Sequence, residues 1–335
     1  MLLLTLAGVG CDAGQGGSDA AVAAKSEARS REVLAEAWDT LWTVGASAND
    51  TVLLNPYLVA ASDSGVYLFD GGNHSVLALG PEGGVRWRFG RQGSGPDEFR
   101  GVRDLKTGSD GSVLVLDPRN GRIIRLNAAG GVRSRIPLGA TGHAEQLASL
   151  DSGRIVLLTM DPARAFAIMD SVGNVRERFS LPWAGFAALD QIARQGLIAP
   201  SGGGGWIFGF SMGDGWFTFN GSASVGSASY VEHTDFPAVK TTSAGATQMA
   251  EYNACSACSA SVSDSTLYVH FGGYGPHPES VIDLYHVNAR RYLGSFILPM
   301  KATAIAAAGD RIYALRDDPY PMLLALRPRT KPVRR

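Results

Sequence analysis

The sequence is short of charge and of cysteine, and it lacks both a long hydrophobic run and a helical repeat. Charged residues make up 18% of its 335 positions, below the roughly 25% of an average soluble domain. The two signs nearly cancel, with 30 Lys+Arg against 31 Asp+Glu. That neutrality argues against a nucleic-acid or polybasic membrane-surface protein, whose affinity rests on excess Lys and Arg. Three cysteines exclude a disulfide-dense scaffold. No segment approaches the roughly 20 consecutive apolar residues a membrane-spanning helix needs. What is abundant is glycine, 42 residues against a usual level of about 7%. With 45% apolar residues, such a chain is turn-rich yet able to bury a large core, which excludes global disorder.

Met1 to Gly10 (MLLLTLAGVG) is a short apolar run ending in small residues ahead of Cys11. It has the character of a secretory signal's hydrophobic region without the positively charged segment that normally precedes one, so the true start is expected upstream. Gly8 and Gly10 before Cys11 resemble a bacterial lipoprotein signal, in which the cysteine becomes the lipidated first residue. The position three before the cysteine is usually Leu and here is Gly8. Either Cys11 is lipidated, or ordinary cleavage nearby leaves a soluble secreted protein. Both imply export, and the expected location is the periplasm or cell envelope, held by a lipid anchor. Asp12 to about Arg31 is Gly, Ala, Ser and Asp with scattered charges, too poor in large apolar residues to order itself. The expected organisation is a signal segment (1–11), a flexible tether (12–37), a folded body (38–328) and a basic tail (329–335).

The body repeats. Val85-Arg86-Trp87-Arg88-Phe89 recurs as Val132-Arg133-Ser134-Arg135-Ile136 and as Val175-Arg176-Glu177-Arg178-Phe179, at spacings of 47 and 43 residues. Each copy alternates apolar and Arg, the period of a half-exposed strand. Each follows a turn, Gly83-Gly84, Gly130-Gly131 or Gly173-Asn174, of the type that supplies positive φ in tight hairpins. Upstream of the turns, Val76 to Leu79, Ile123 to Leu126 and Phe166 to Met169 are candidate preceding strands. A second element, a small turn followed by an unbroken apolar strand, begins at Gly65, Gly111 and Gly153, with looser copies at Gly205, Thr266 and Arg311. An unbroken apolar run predicts a strand covered on both faces. Helical periodicity is absent throughout.

Six units of about 45 residues, each with several short strands, predict a six-bladed β-propeller of four-stranded antiparallel blades. After Leu323 to Leu326 only basic and Pro-rich residues remain, so the sixth blade lacks an outer strand. Thr40-Leu41-Trp42-Thr43-Val44-Gly45 supplies one: shifted by 45 residues, it lays Trp42 on Trp87. The N-terminal strand is therefore expected to complete the last blade and close the ring, leaving no long open sheet edge.

Phe89-Gly90-Arg91-Gln92-Gly93-Ser94-Gly95-Pro96-Asp97-Glu98-Phe99, continued by Val113-Leu114-Val115-Leu116-Asp117 and Arg119-Asn120-Gly121-Arg122-Ile123, is similar to NHL-type repeats. The whole resembles the bacterial six-bladed β-propeller lipoproteins, tightly over residues 38–180 and more loosely beyond, where blades four and five carry insertions. The resemblance implies a fold and, because fold does not specify function, little about activity.

Cys255-Ser256-Ala257-Cys258 is the most distinctive local motif. Such a pair can ligate zinc, act as a redox couple, or close a disulfide. With His270 and His277 the spacing is C-x2-C-x11-H-x6-H, loosely that of a zinc finger, though no finger helix follows. In an exported chain a structural disulfide is the simpler expectation, contributing about 2 kcal/mol for so small a ring. Gly209-Phe210-Ser211-Met212-Gly213 satisfies the pattern of a hydrolase nucleophile elbow, but turn and strand residues follow where the elbow needs a helix. A hairpin, Trp206 to Phe210 against Trp216 to Phe219, is expected instead.

Asp70 with Asn73 and Asp117 with Asn120 occupy equivalent repeat positions. Their oxygens could ligate calcium, but these are also turn residues, and recurrence in successive blades spreads them around the ring. The Arg pairs 86/88, 133/135 and 176/178 mark charged outer edges. His74, His143, His233 and His286 fall in unrelated contexts and read as surface or loop residues. The aromatics of blade four, among them Trp206, Phe208, Phe210 and Trp216, are expected to pack mostly between blades, with any left exposed becoming candidate partner-binding residues.

The functional expectation is an exported, lipid-anchored binding or scaffolding module without a cofactor and without identified catalysis. It would be monomeric and engage a protein, peptide or glycan at the channel mouth or on one loop face. The competing expectation, from architecture alone, is a calcium- or zinc-dependent lactonase, other hydrolase or lyase, which requires Asp, Asn or His side chains converging on the channel. A structural envelope protein with no small ligand is the third.

Overall fold

The unbroken apolar runs are strands buried on both faces, as Gly65–Asp70, Val113–Asp117 and Ile155–Thr159 show, and the Arg-alternating segments are half-exposed strands at the outer edge of the same sheets. The structure is a computed structural model and describes residues 30–47, 49–141, 143–161, 163–241, 247–249, 255–273 and 277–329. Cys11 lies outside the described residues.

Six sheets form a propeller. Counted outward from the axis, blade one is Pro56–Ser62, Gly65–Asp70, Ser75–Leu79 and Val85–Phe89. Blade two is Asp104–Thr107, Val113–Asp117, Arg122–Leu126 and Val132–Pro137. Blade three is Ala144–Ser149, Ile155–Thr159, Phe166–Met169 and Val175–Phe179. Blade four is Gly196–Gly202, Gly205–Phe210, Trp216–Asn220 and Ala223–Ala228. A hairpin of Val239–Thr241 and Thr247–Met249 is inserted before blade five. Blade five is Ser259–Ser263, Thr266–Phe271, Val281–His286 and Arg291–Ile297. Blade six is Ala304–Ala308, Arg311–Arg316, Met322–Pro328 and, from the other end of the chain, Trp38–Gly45. That last pairing is antiparallel, with Trp42 opposite Ala325 and Val44 opposite Leu323, so the expected ring closure is present.

The core is a circle of six apolar layers, one between each pair of successive blades. Period-two alternation explains how one strand serves two layers. Val113 and Val115 pack toward blade one, whereas Leu114 and Leu116 pack toward blade three. Near the axis, side-chain hydrogen bonds join neighbouring blades. Ser259, Ser261 and Ser263, at every second position, accept from the backbone N–H of Ile305, Ala307 and Gly309 at 2.9, 3.0 and 3.1 Å.

The tether ends earlier than its composition suggests. Val33–Ala35, placed by sequence in the 12–37 tether, is a strand that adds in parallel to the outer edge of blade five. The reason lies outside the segment. Arg31 donates to Asp283 at 2.9 and 3.0 Å, pairs with Glu232, and stacks its guanidinium 4.3 Å from the centre of the Phe271 ring. Gly294 leaves the space that Leu34 fills, since a Cβ there would stand 2.4 Å from Leu34 Cγ.

Trp42 and Trp87 share one contact, as their alignment predicts. Each indole Nε1 donates to a carbonyl in the next turn around the ring, Pro81 at 2.7 Å and Ala128 at 2.9 Å. Each ring lies over a glycine, Gly83 or Gly130, where a Cβ would come within 2.7 Å. Both glycines hold positive φ, +82° and +84°, so alanine there meets strain as well as a clash. Trp42→Ala and Trp87→Ala should each cost about 2 to 3 kcal/mol, somewhat less than a fully buried Trp truncation. The loss should be larger for Trp42, because it sits on the closing strand. Thermal unfolding of the two variants checks this; equal midpoints, or no loss at Trp42, would contradict a closure-dependent ring.

Candidate functional site

The motifs most visible in the sequence serve the scaffold. Cys255 and Cys258 are joined in a disulfide. Its loop is stapled to the end of blade five's second strand by Cys258 N–H to His270 O (2.8 Å) and Gly272 N–H to Cys255 O (3.0 Å). The alternative metal set of Cys255, Cys258, His270 and His277 is corrected by this geometry, because sulfurs bonded to each other cannot serve as thiolate ligands. His270 Nε2 faces the Glu279 carbonyl at 3.0 Å, and burial pushes its pKa down. Among the described residues no group of three or more His, Cys, Asp or Glu stands close enough to hold a metal ion.

Asp70 and Asp117 are fully buried, with N–H donors on their carboxylate oxygens. Asp70 accepts from the backbone of Leu54, Asn55 and Gly72 and from the Asn73 amide. Asp117 accepts from Arg100, Gly101 and the Asn120 amide. Each ties an inter-blade loop to the turn after its own strand, which is turn chemistry. Trp206, Phe208, Phe210 and Trp216 are all buried, at most 1% exposed. The first three fill the layer between blades three and four, and Trp216 lies between four and five. They are core residues, and none is left on the surface to meet a partner. The outer-strand arginines are latches: Arg88 reaches Ser75 and Val52, and Arg176 reaches Asp170.

The axial channel is narrow, about 50 Å³, walled by small apolar residues such as Ala61, Ala199, Ala260 and Ala306. Its one charged wall residue, Lys106, is paired with the buried Asp104 at 2.9 Å. Asp104 also accepts the Leu147 N–H at 2.9 Å, so this pair links blades two and three. A shallow mouth of about 330 Å³ opens among the first hairpins of blades two to five.

The better-formed cleft, about 270 Å³, lies on the face where the inner strands begin, over blades two, three and four. Leu158, Ala165 and Phe186 supply its apolar side and are buried. Its polar wall comes from four different connections. Arg103 precedes the inner strand of blade two, Asp161 follows the second strand of blade three, Gln191, Arg194 and Gln195 precede the inner strand of blade four, and Ser211 follows Phe210. Glu145 and Gln146 project from the start of blade three's inner strand. The expected hairpin accounts for Ser211, since Gly205–Phe210 pairs antiparallel with Trp216–Asn220 and no helix follows. Gln146 Oε1 accepts the Ile198 N–H at 3.3 Å, which fixes the amide and leaves its NH₂ for the cleft. Arg103 stands 3.6 Å from Glu145, too long for a hydrogen bond.

None of these residues except Ser211 is singled out by the sequence, because the separate segments that carry them share no periodicity or motif. The signal the sequence offers is the cluster of polar residues in Asp190-Gln191-Ile192-Ala193-Arg194-Gln195. His233 clasps the 230s loop to blade four, with Nδ1 3.1 Å from Asp214 and Nε2 3.4 Å from Asp235. The hydrogen bond to Asp214 raises the His233 pKa against a smaller opposing effect of burial. A raised folded-state pKa means the clasp is fully present below about pH 6.5 and lost as pH rises through the folded value. The His233 NMR titration should therefore have its midpoint above 6.5, and Asp214→Asn should bring it down. A midpoint unmoved by that substitution would place the cause elsewhere.

No family model and no curated protein matches the chain. Solved structures share its fold. A Bacteroides fragilis protein assigned as exported superposes with TM-score 0.58 and 13% identity, covering 90% of this chain and 97% of that one. Virginiamycin B lyase from Staphylococcus aureus gives TM-score 0.53 and 14% identity over 87% and 99%. A member of the duf4221 family from Bacteroides vulgatus gives 0.51 and 10% over 88% and 99%. Identities this low carry the architecture and leave the chemistry to the residues of each chain. Among the described residues no helix is long and apolar enough to cross a membrane. The chain is a six-bladed β-propeller.

Proposed function

We propose that this chain is an exported binding module that captures a ligand in the cleft over blades two to four, and that Cys11 anchors it to the cell envelope by a lipid. The observation that carries the reading is the cleft itself. It joins a buried apolar side to polar side chains delivered by separate loops, the composition of a small-molecule site, on a face set by a rigid ring. The ligand is a small molecule or the end of a larger glycan or peptide, since about 270 Å³ is at the small end for such sites. The exported neighbour supports the location, and the signal-like segment before Cys11 supports the anchor. The lyase neighbour shows that this architecture can host catalysis, but no group of side chains in the cleft assigns a reaction here.

Gln195→Trp should fill the cleft, because Gln195 is exposed on its wall and its backbone bonds do not depend on the side chain. On arrays of glycans and short peptides, the wild-type chain should retain ligands that Gln195→Trp loses, while both unfold at similar temperature. Identical array profiles would sink the cleft as the binding site, and chemical conversion of a captured ligand would replace capture with catalysis.

A further inference from the structure

We infer that the cleft selects an acidic saccharide, a sugar ring carrying a carboxylate; the inference rests on the cleft being the binding site. It starts from the two guanidinium groups on its wall. Arg194 is half-buried, and no described residue hydrogen-bonds or pairs with its side chain. Arg103 has Glu145 at 3.6 Å as its ion-pair partner, so its N–H donors are not committed to a hydrogen bond. Several arginines outside the cleft are held: Arg31 by Asp283 and Glu232, Arg125 and Arg133 by Asp110, Arg176 by Asp170. A guanidinium withdrawn from water without a partner carries unmet hydrogen-bonding capacity, and its planar fork matches a carboxylate. The ligand that completes the cleft therefore brings an anionic group to Arg194, with the exposed Arg103 on the same wall.

The rest of the wall says what that anion is attached to. Gln195 and the Ser211 hydroxyl have no side-chain partner among the described residues, and Gln191 meets only the Met160 sulfur at 3.4 Å. Gln146 has its oxygen engaged and its NH₂ free. Glu145 and Asp161 add carboxylate acceptors beside these donors. Donors and acceptors are thus interspersed around the rim, each able to take one end of a hydroxyl, while Leu158, Ala165 and Phe186 offer an apolar side for ring C–H groups. A polyhydroxylated ring with one carboxylate satisfies all of these at once. A bare carboxylate would leave the amides and Ser211 unmatched, and a neutral sugar would leave Arg194 so.

The test is calorimetric titration of the full folded chain with D-galacturonate, with D-galactose, which differs in having an alcohol in place of the carboxylate, and with acetate. Galacturonate should bind at least about tenfold more tightly than either control. Arg194→Ala should reduce its affinity to that of galactose, and Arg194→Lys should restore part of the preference. Arg91→Ala, at an exposed arginine paired with Glu98 away from the cleft, should change nothing. Equal affinity for galacturonate and galactose, a preference that survives Arg194→Ala, acetate binding as tight as galacturonate, or no galacturonate binding at millimolar concentration would each overturn the inference. If Gln195→Trp still abolishes capture of some other arrayed ligand, the cleft stands as the binding site and only its assignment to an acidic saccharide falls. If that variant captures everything the wild type does, the site itself is wrong.

Discussion

A ring of sheets is held together where its two ends meet, and here that junction is the pairing of Trp38–Gly45 with Met322–Pro328. Within a blade most successive strands are joined by short turns, so their encounter costs little loop entropy. The closing pair brings together segments at opposite ends of the sequence, and it is antiparallel along most of its length. Without it, blade six would expose the edge of Met322–Pro328 and the apolar layer between blades six and one would lose Leu41, Trp42 and Val44 from its border. The strand thus performs two tasks, satisfying an edge and sealing a layer. Arg31 and Val33–Ala35 extend the same solution one blade further, where a bidentate ion pair and a three-residue strand cover the outer edge of blade five.

The layers explain why the repeat can be read from the residues. A blade's second strand is buried on both sides, so it must be apolar at every position, whereas its outer strand faces solvent on one side and can alternate. Those two physical demands recur every blade, and they are what Gly65–Asp70 and Val85–Phe89 record. Closure was legible for a related reason: Trp42 does for Gly83 what Trp87 does for Gly130, so the same contact left the same residues at a fixed spacing. Val33–Ala35 was not legible. Its ordering comes from Gly294, Asp283 and Phe271, some 250 residues away, and nothing within the segment declares it. The aromatics of blade four misled in a milder way, since density of large rings marks a thick layer as readily as a sticky surface. Trp206 stacked on Phe219 at 4.2 Å is what such a layer looks like from inside.

The candidate site was almost wholly illegible, and the cause is geometric. Arg103, Arg194 and Ser211 lie in connections of different lengths and Glu145 at the start of an inner strand, and the ring brings them together without any local spacing. Motifs that do have spacing, Cys255 with Cys258 and Asp70 with Asn73, draw attention because local structure requires them. A disulfide loop and a turn are built from neighbours, so their signature is short-range. A binding cleft on a propeller is built from loops that are neighbours only after the ring has closed.

That division also separates residues that stability explains from residues it does not. Asp104, Asp117 and Asp283 are buried charges whose oxygens are met by N–H or O–H donors, so each offsets its desolvation within the fold. Arg194 is the opposite case, a cation set into a half-buried wall with no such return from the described residues. Its unmet hydrogen-bonding capacity is what the proposed ligand would answer.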